Sequence, residues 1–356
     1  EYKTKRVKNA MTRIADVDTE VLPCIGMEDP YHYRNKIQVP FAKDRCGKVK
    51  YGFYKENTHI IVPTKQCMIE DKRAAPILWD IKLLLEEMKI PIYNEKSGKG
   101  ILRHVLIRTS FHYPEVMVVL VTTILNFPGQ RNFINSLVQK HPEITTIVAN
   151  VNARKTNVVL GKLDKVLYGP GKIKDDILGL TFEISASSFF QVNPIQVEKL
   201  YSGVFNLINC SKKETLLDAY SRVGTIGLLA AKKAKKVISV ESNKSAHKNA
   251  IGNAKRNNLK NIEFICDDAS EYIAKCDEQI DVVIMDPPRS GSDKKFLSTL
   301  VNKQIKKIIY VSCNPETLAR DVEYLSKHYD VTFIQPVDMF PMTSHVETIV
   351  LLQLRR

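Results

Sequence analysis

Ile308-Ile309-Tyr310-Val311-Ser312-Cys313-Asn314-Pro315-Glu316 turns a strand into a helix. The apolar run before the corner reads as a buried parallel strand, and Asn314 then Pro315 reads as N-cap and first helical residue. The same unit recurs upstream. Thr215–Ala219, Lys236–Glu241, Ile262–Cys266, Asp281–Asp286 and Lys307–Ser312 are short apolar strands, separated by helical stretches such as Asn243–Asn257 and Pro315–His328. Val331–Val337 and Val346–Leu354 add two last strands with the pattern of an antiparallel hairpin. Together they predict a doubly wound α/β sheet, whose ligands gather at the carboxyl edge of the strands. Cys313 sits at that edge, facing the positive end of a helix, which predicts a thiolate-favouring position.

The rest of the chain has a different rhythm. From about Pro30 to Ile184 it is strand-rich, with strands expected over Ile101–Ser110, Glu115–Thr123 and Thr145–Asn152 and helices over Ile77–Met88 and Gln130–Lys140. This is an α+β pattern with basic loops, Lys43–Lys50 and Lys96–Lys99. Gly98 and Gly100 suggest a phosphate loop, but the GxxxxGK[ST] pattern is absent. Glu1–Ala15 has loose helical periodicity, with Val7, Met11 and Ile14 on one face. We therefore expect three parts: an N-terminal helix and link at 1–27 packing on the last domain, a central domain at 28–180, and a doubly wound domain at 181–356.

The 356 residues leave room for two cores, and 44% hydrophobic with 26% charged residues is ordinary for a globular chain. The net charge of +14 is not ordinary, and points to a polyanionic partner, nucleic acid first. No apolar run has membrane-span length and nothing at the start resembles a signal peptide. Seven cysteines, at 24, 46, 67, 210, 266, 276 and 313, lack the close spacing of a zinc site and fit a reducing cytoplasm. The chain opens at Glu1 rather than Met, so a preceding segment is expected.

Four pieces fall at the carboxyl ends of successive strands. Asp218–Gly227 (DAYSRVGTIG) is a glycine-bearing turn into a helix. Glu241, about twenty residues later, suits the two hydroxyls of a ribose, and Asp268 an adenine amino group. Asp286–Gly291 (DPPRSG) is the fourth. The turn lacks the first glycine of GxGxxG, for Arg222 stands there. A nicotinamide dehydrogenase needs that glycine for its pyrophosphate; S-adenosylmethionine has no phosphate, so the looser turn favours a methyltransferase.

With Cys313 included, the chain resembles the RNA (uracil-C5)-methyltransferases. Ser185–Pro194 (SASSFFQVNP), Asp286–Gly291 (DPPRSG), Ser312–Asp321 (SCNPETLARD) and His345–Glu347 (HVE) carry the resemblance, which runs from end to end of the chain. It implies a Rossmann-like class I SAM-dependent methyltransferase domain, a central α+β RNA-binding domain, a cytoplasmic location and S-adenosylmethionine as cofactor. By position Cys313 would be the nucleophile and Glu347 the base. Gln191, Tyr220, Thr225, Glu241, Asp268 and Asp286 would line the cofactor and base pocket, with Asp286 also close to the chemistry. Arg222 departs from the family's usual glycine. The family also carries an iron–sulfur cluster held by three closely spaced cysteines and a fourth. Cys67 resembles that fourth ligand, the other three are absent, and a cluster needs four thiolates, so none intact is expected here.

The implied chemistry explains the residue types. Adding a thiolate to C6 of uracil concentrates negative charge at C5, which can then accept a methyl group; a base must next remove the C5 hydrogen. Burial among Val346, Ile349 and Val350 would raise the pKa of Glu347 toward that task. His345 competes, and strand alternation puts both on one side. The target base must leave its stack, with Phe189 or Phe190 to receive it, and Arg34, Lys36 and Arg103 are candidate phosphate contacts. A cytosine-C5 enzyme would want a second cysteine after the DPP, where Arg289 stands. An amino-group methyltransferase would not need Cys313. The chain as a whole leans toward 23S ribosomal RNA, partly through Val337–Pro341 (VDMFP), with the transfer RNA T-loop and a non-catalytic RNA-binding protein as alternatives. A monomer is the default.

Overall fold

The computed structural model describes residues 1–208 and 213–355; Cys210 lies outside them. Two compact units emerge, one of residues 1–30, 177–182 and 188–356, the other of residues 31–176 and 183–187. The chain opens with α1 (Tyr2–Ala10), continued by a wider turn of helix at Met11–Ala15. Val7, Ala10, Met11 and Ala15 face inward and join the core of the first unit.

The second unit holds β1 (Lys36–Lys43), β2 (Val49–Tyr54), β3 (Ile61–Pro63), α2 (Ala74–Glu87), β4 (Leu102–Thr109), β5 (Val116–Thr122), α3 (Gln130–Lys140), β6 (Ile144–Val151) and β7 (Leu163–Tyr168). Its seven strands run in the order β3-β2-β1-β4-β5-β6-β7. Only β5 and β6 pair in parallel, because α3 carries the chain back between them. Leu78, Ile81 and Leu85 of α2 and Phe133 and Leu137 of α3 are buried against this sheet. β4 and β5 are buried along their whole lengths.

The chain then passes through a hairpin, β8 (Lys172–Ile177) and β9 (Leu180–Ser185), into α4 (Pro194–Leu207). From there strand and helix alternate: β10 (Thr215–Ala219), α5 (Thr225–Ala230), β11 (Lys236–Val240), α6 (Lys244–Arg256), β12 (Ile262–Ile265), α7 (Ala269–Lys275), β13 (Val282–Met285), α8 (Lys294–Asn302), β14 (Lys307–Ser312), α9 (Pro315–Leu325), β15 (Tyr329–Val337) and β16 (Glu347–Leu354). The sheet order is β12-β11-β10-β13-β14-β16-β15, with the first five strands parallel and β16 antiparallel to both its neighbours. β10 and β13 meet at the centre, where the strand order reverses, and open α/β sheets bind ligands at that switch point. This is the Rossmann-like fold expected of the sequence. Among the described residues no helix is long and apolar enough to cross a membrane.

Candidate active site

The turn after β10 is built from three left-handed residues, Tyr220 (φ 61°), Arg222 (φ 54°) and Gly224 (φ 80°). Glycine adopts that region freely, whereas a residue with a β-carbon loses about 1–2 kcal/mol there. Two hydrogen bonds hold the turn: Ser221 N–H to the Val240 carbonyl at 3.0 Å and Arg222 N–H to Glu241 Oε2 at 2.8 Å. Behind it, Gly227 donates its N–H to Asp218 Oδ2 at 2.8 Å. A β-carbon on Gly227 would lie 2.6 Å from that oxygen, so only glycine fits. Burial, aided by Asp286 and Glu241, pushes the Asp218 carboxyl up to about 8.

Glu241 closes β11. Besides Arg222 it accepts the N–H of Asn243 at 2.6 Å. Asp268 caps α7, its Oδ1 taking the N–H groups of Ser270 at 2.8 Å and Glu271 at 3.2 Å, and is exposed. Both carboxylates lie at carboxyl ends of parallel strands. Tyr220 shares a hydrogen bond with Ser292 (3.1 Å), and its hydroxyl is pushed up to about 12 mainly by burial. Thr225 begins α5 and is buried.

The loops after β13 and β14 are fastened to each other, which accounts for the residue types around the cysteine. The Arg289 carbonyl accepts from Asn314 Nδ2 at 3.2 Å and Thr317 Oγ1 at 3.0 Å. Arg320 donates to the Ser290 carbonyl at 3.0 Å and the Ser292 carbonyl at 3.2 Å. Asp321 is buried beneath them. Asn314 caps α9 by accepting the Glu316 N–H at 3.2 Å, and Cys313 stands just before the cap.

Asp286, Cys313 and Glu347 thus come from three adjacent strands. Ser312 pairs with Thr348, so antiparallel pairing of β14 and β16 sets Glu347 beside the cysteine corner. Glu347 is buried, and burial followed by Asp286 pushes its carboxyl up to about 8. His345 precedes the strand, exposed, its ring edge-on to Phe340 at 6.1 Å. Strand alternation left these two undecided and the family resemblance favoured Glu347; the fold buries only Glu347.

The expectation that the helix end favours a Cys313 thiolate is opposed by the rest of the site. Burial first, then Glu347 and Asp286, raises the Cys313 pKa, and Arg289 only partly offsets them.

Phe189 is 43% exposed, while Phe190 is a core residue, its ring 6.0 Å from that of Phe182. The expectation that either ring can receive a base is therefore narrowed to Phe189. Gln191 bonds the Tyr201 hydroxyl, which burial raises. Asn193 caps α4, accepting the Gln196 N–H at 3.1 Å and donating to the Met339 carbonyl at 3.1 Å, so this segment is anchored near the last hairpin. Tyr201 lines the site although the sequence reading did not name it, and Asp218 and Arg289 lie in the quoted motifs without having been given a role there. Tyr201 gives no sequence signal beyond an inward helix position.

The three proposed phosphate contacts lie in the second unit, and their geometry is not that of free surface cations. Arg103 is buried, donating to the Asn152 carbonyl (3.0 Å), the Arg154 carbonyl (2.7 Å) and Glu95 (3.0 Å) over the Tyr93 ring. Burial and two arginines lower Lys36 to about 8. Arg34 is half-buried and donates Nε to the Lys36 carbonyl. Beside Arg103 two adjoining hollows of about 340 and 580 Å³ share Tyr54, His59, Glu95, Lys96 and Arg103. Lys43 and Lys155 add positive charge to this groove, and Tyr54 is a half-exposed ring edge-on to His59 at 5.5 Å. His104, lowered to about 4 by burial and Arg103, has its Nδ1 unpaired among the described residues.

Cys67 is half-buried in a turn of the same unit, and no group of three or more His, Cys, Asp or Glu suited to a metal occurs among the described residues. One thiolate does not make a cluster site.

Comparison with known proteins agrees with this architecture. The tRNA (Uracil-5-)-methyltransferase family model matches residues 136–355. An uncharacterized RNA methyltransferase of Clostridium acetobutylicum is 44% identical, over 99% of this chain and 78% of that protein. One of Caldanaerobacter subterraneus is 43% identical, over 99% and 79%. The crystal structure of Pyrococcus abyssi tRNA (uracil-54, C5)-methyltransferase in complex with S-adenosyl-L-homocysteine matches with TM-score 0.83 and 32% identity, covering 99% of this chain and 83% of that one. With relatives so similar along its whole length, the chain is an RNA methyltransferase and belongs to the RNA uracil-C5 methyltransferase family.

Proposed function

We propose that this enzyme methylates C5 of a uridine in structured RNA through a covalent bond between Cys313 and C6 of the base. The observation that carries the reading is the convergence of a thiol and two carboxyls from adjacent strands, Cys313, Glu347 and Asp286, in a mostly buried site. S-adenosylmethionine fits the donor set: Glu241 would take the ribose hydroxyls and Asp268 the adenine, and when bound it would supply an electrophilic methyl group.

The Cys313 thiol gives its proton to a site carboxylate, and the sulfur adds to C6 of the uracil. The electron pair of the C5–C6 double bond moves toward C5 and O4, and C5 would take the methyl group as the methyl–sulfur bond of the sulfonium breaks, its electrons remaining on the sulfur. Glu347, ionised, then removes the C5 hydrogen, the double bond re-forms and Cys313 leaves with the electrons of the S–C6 bond. Phe189 offers a face for the extruded base. The central unit grips RNA through the groove around Tyr54, Lys96 and Lys155, which joins positive charge to an aromatic face as single-strand binders do.

The target we favour is 23S ribosomal RNA, on the resemblance that includes Val337–Pro341. The likeness to the P. abyssi enzyme favours transfer RNA as a second reading. The test is incubation with 5-fluorouridine-substituted 23S and transfer RNA fragments plus S-adenosylmethionine. Fluorine at C5 blocks the last proton removal, so an adduct resistant to denaturation is expected with wild type and none with Cys313→Ala. Methyl transfer retained by Cys313→Ala would overturn the mechanism. The RNA that forms the adduct identifies the target class.

A further inference from the structure

Arg222 stands where the family resemblance expects glycine, and its guanidinium lies inside the site. Its carbon centre is 4.0 Å above the Phe189 ring, and Nη2 is 3.6 Å from Asp286 Oδ2. Asp286, Tyr201, Glu347 and Cys313 all surround it with negative or ionisable groups. The hollow lined by Phe189, Gln191, Tyr201, Tyr220, Arg222 and Asp286 retains only about 10 Å³ of room. That is hardly space for one water molecule. An aromatic face opposite a carboxylate is a cation site, and this chain fills it with its own cation.

We propose that Arg222 is an internal competitor for the cofactor, its guanidinium taking the place of the positively charged methionine end. This rests on the cofactor reading above. For S-adenosylmethionine to bind, Arg222 must swing out, because two cations cannot share Asp286 and the ring of Phe189. The side chain is long, unbranched and about one-third exposed, so it can move without disturbing the sheet. Its backbone stays, held by the bond to Glu241. The observed affinity is then the intrinsic one reduced by the fraction of molecules with Arg222 withdrawn. Binding should favour neutral S-adenosylhomocysteine over the sulfonium in wild type relative to variants lacking the guanidinium.

The experiment is calorimetric titration of wild type, Arg222→Ala and Arg222→Gly with S-adenosylhomocysteine and with S-adenosylmethionine, in the absence of RNA. Alanine keeps the β-carbon and its backbone constraint, whereas glycine relieves it, so the pair separates the guanidinium from the backbone. Both variants are expected to bind S-adenosylhomocysteine about tenfold more tightly than wild type, and to gain still more for S-adenosylmethionine. Thermal melts without ligand establish that each variant is folded. Equal or weaker binding by Arg222→Ala and Arg222→Gly overturns the competitor role and leaves the cofactor reading standing. Absence of binding by all three proteins overturns both.

Discussion

The Asp321 carboxylate accepts the backbone N–H of Ser292 at 2.7 Å, so the loop after β13 hangs from the helix after β14. The same oxygen takes the Tyr310 hydroxyl at 2.6 Å. Replacing Asp321 by alanine leaves two buried donors without a partner, each worth about 1–3 kcal/mol. Urea unfolding of Asp321→Ala should show a loss of roughly 2–4 kcal/mol, and Asp321→Asn, which keeps an acceptor, a clearly smaller one. Equal losses would mean that the bond to Ser292 is not what the carboxylate supplies.

Glu347 carries a pH signature. In the unfolded chain it ionises near the ordinary glutamate value of 4.5, in the fold only near about 8. Between those values the unfolded state binds fewer protons, so this residue's contribution to stability, full below 4.5, is lost as pH rises through about 8. Glu347→Gln cannot ionise. It should match wild type near pH 4.5 and exceed it at pH 8.5 by on the order of a few kcal/mol, read as denaturation midpoints. Asp218 adds a parallel slope that the variant retains.

The same substitution separates steps. With Glu347→Gln the C5 hydrogen stays, so ordinary uridine RNA should form a methylated adduct that persists on a denaturing gel. In wild type, kcat/KM should rise with pH through about 8, as the base ionises. A profile that is flat from pH 6 to 9 would remove Glu347 from the role.

Cys313 should be a sluggish thiol in the free enzyme, since burial, Glu347 and Asp286 all hold its proton on. Peptide-resolved mass spectrometry after brief iodoacetamide treatment at pH 7.5 should find Cys46 and Cys266, both exposed, alkylated before Cys313. Preferential labelling of Cys313 would restore the helix-end expectation.

Salt dependence tests the groove of the central unit. Lys96→Ala and Lys155→Ala should each reduce the slope of log K against log salt for single-stranded RNA by about 0.7. Arg103→Ala should act on folding instead, for it strips two carbonyls and Glu95 of their donor; a loss of about 3 kcal/mol is expected. An unchanged slope in both lysine variants would direct attention to another surface.

The parallel strands were legible because β10, β13 and β14 are buried on both faces and so are short runs rich in apolar residues, the pattern of a covered parallel sheet. Cys313 and the acids at the strand ends were legible because corners follow from strand ends. Arg103 misled because composition counts a charge without saying which way it points. The state of Cys313 was equally hidden: its helix is local in sequence, but Glu347 arrives from thirty-four positions away. Arg222 stood out as an exception in the turn, yet only the fold shows its guanidinium against Asp286.

Ser312 pairs with Thr348 in a ladder that continues to Lys307 and Gln353. Side chains alternate across a sheet with period two, so sliding β16 by a single residue would turn Glu347 to the opposite face. An insertion or deletion that shifts this register therefore takes Glu347 away from Cys313 even where it would leave the core apolar. The exposed turn before it, Met342–His345, lies outside that ladder and is held instead by Arg6, which donates to the Ser344 carbonyl at 2.7 Å. A change of length there alters how far Cys313 and Glu347 stand apart in sequence, whereas a slip of β16 alters their phase.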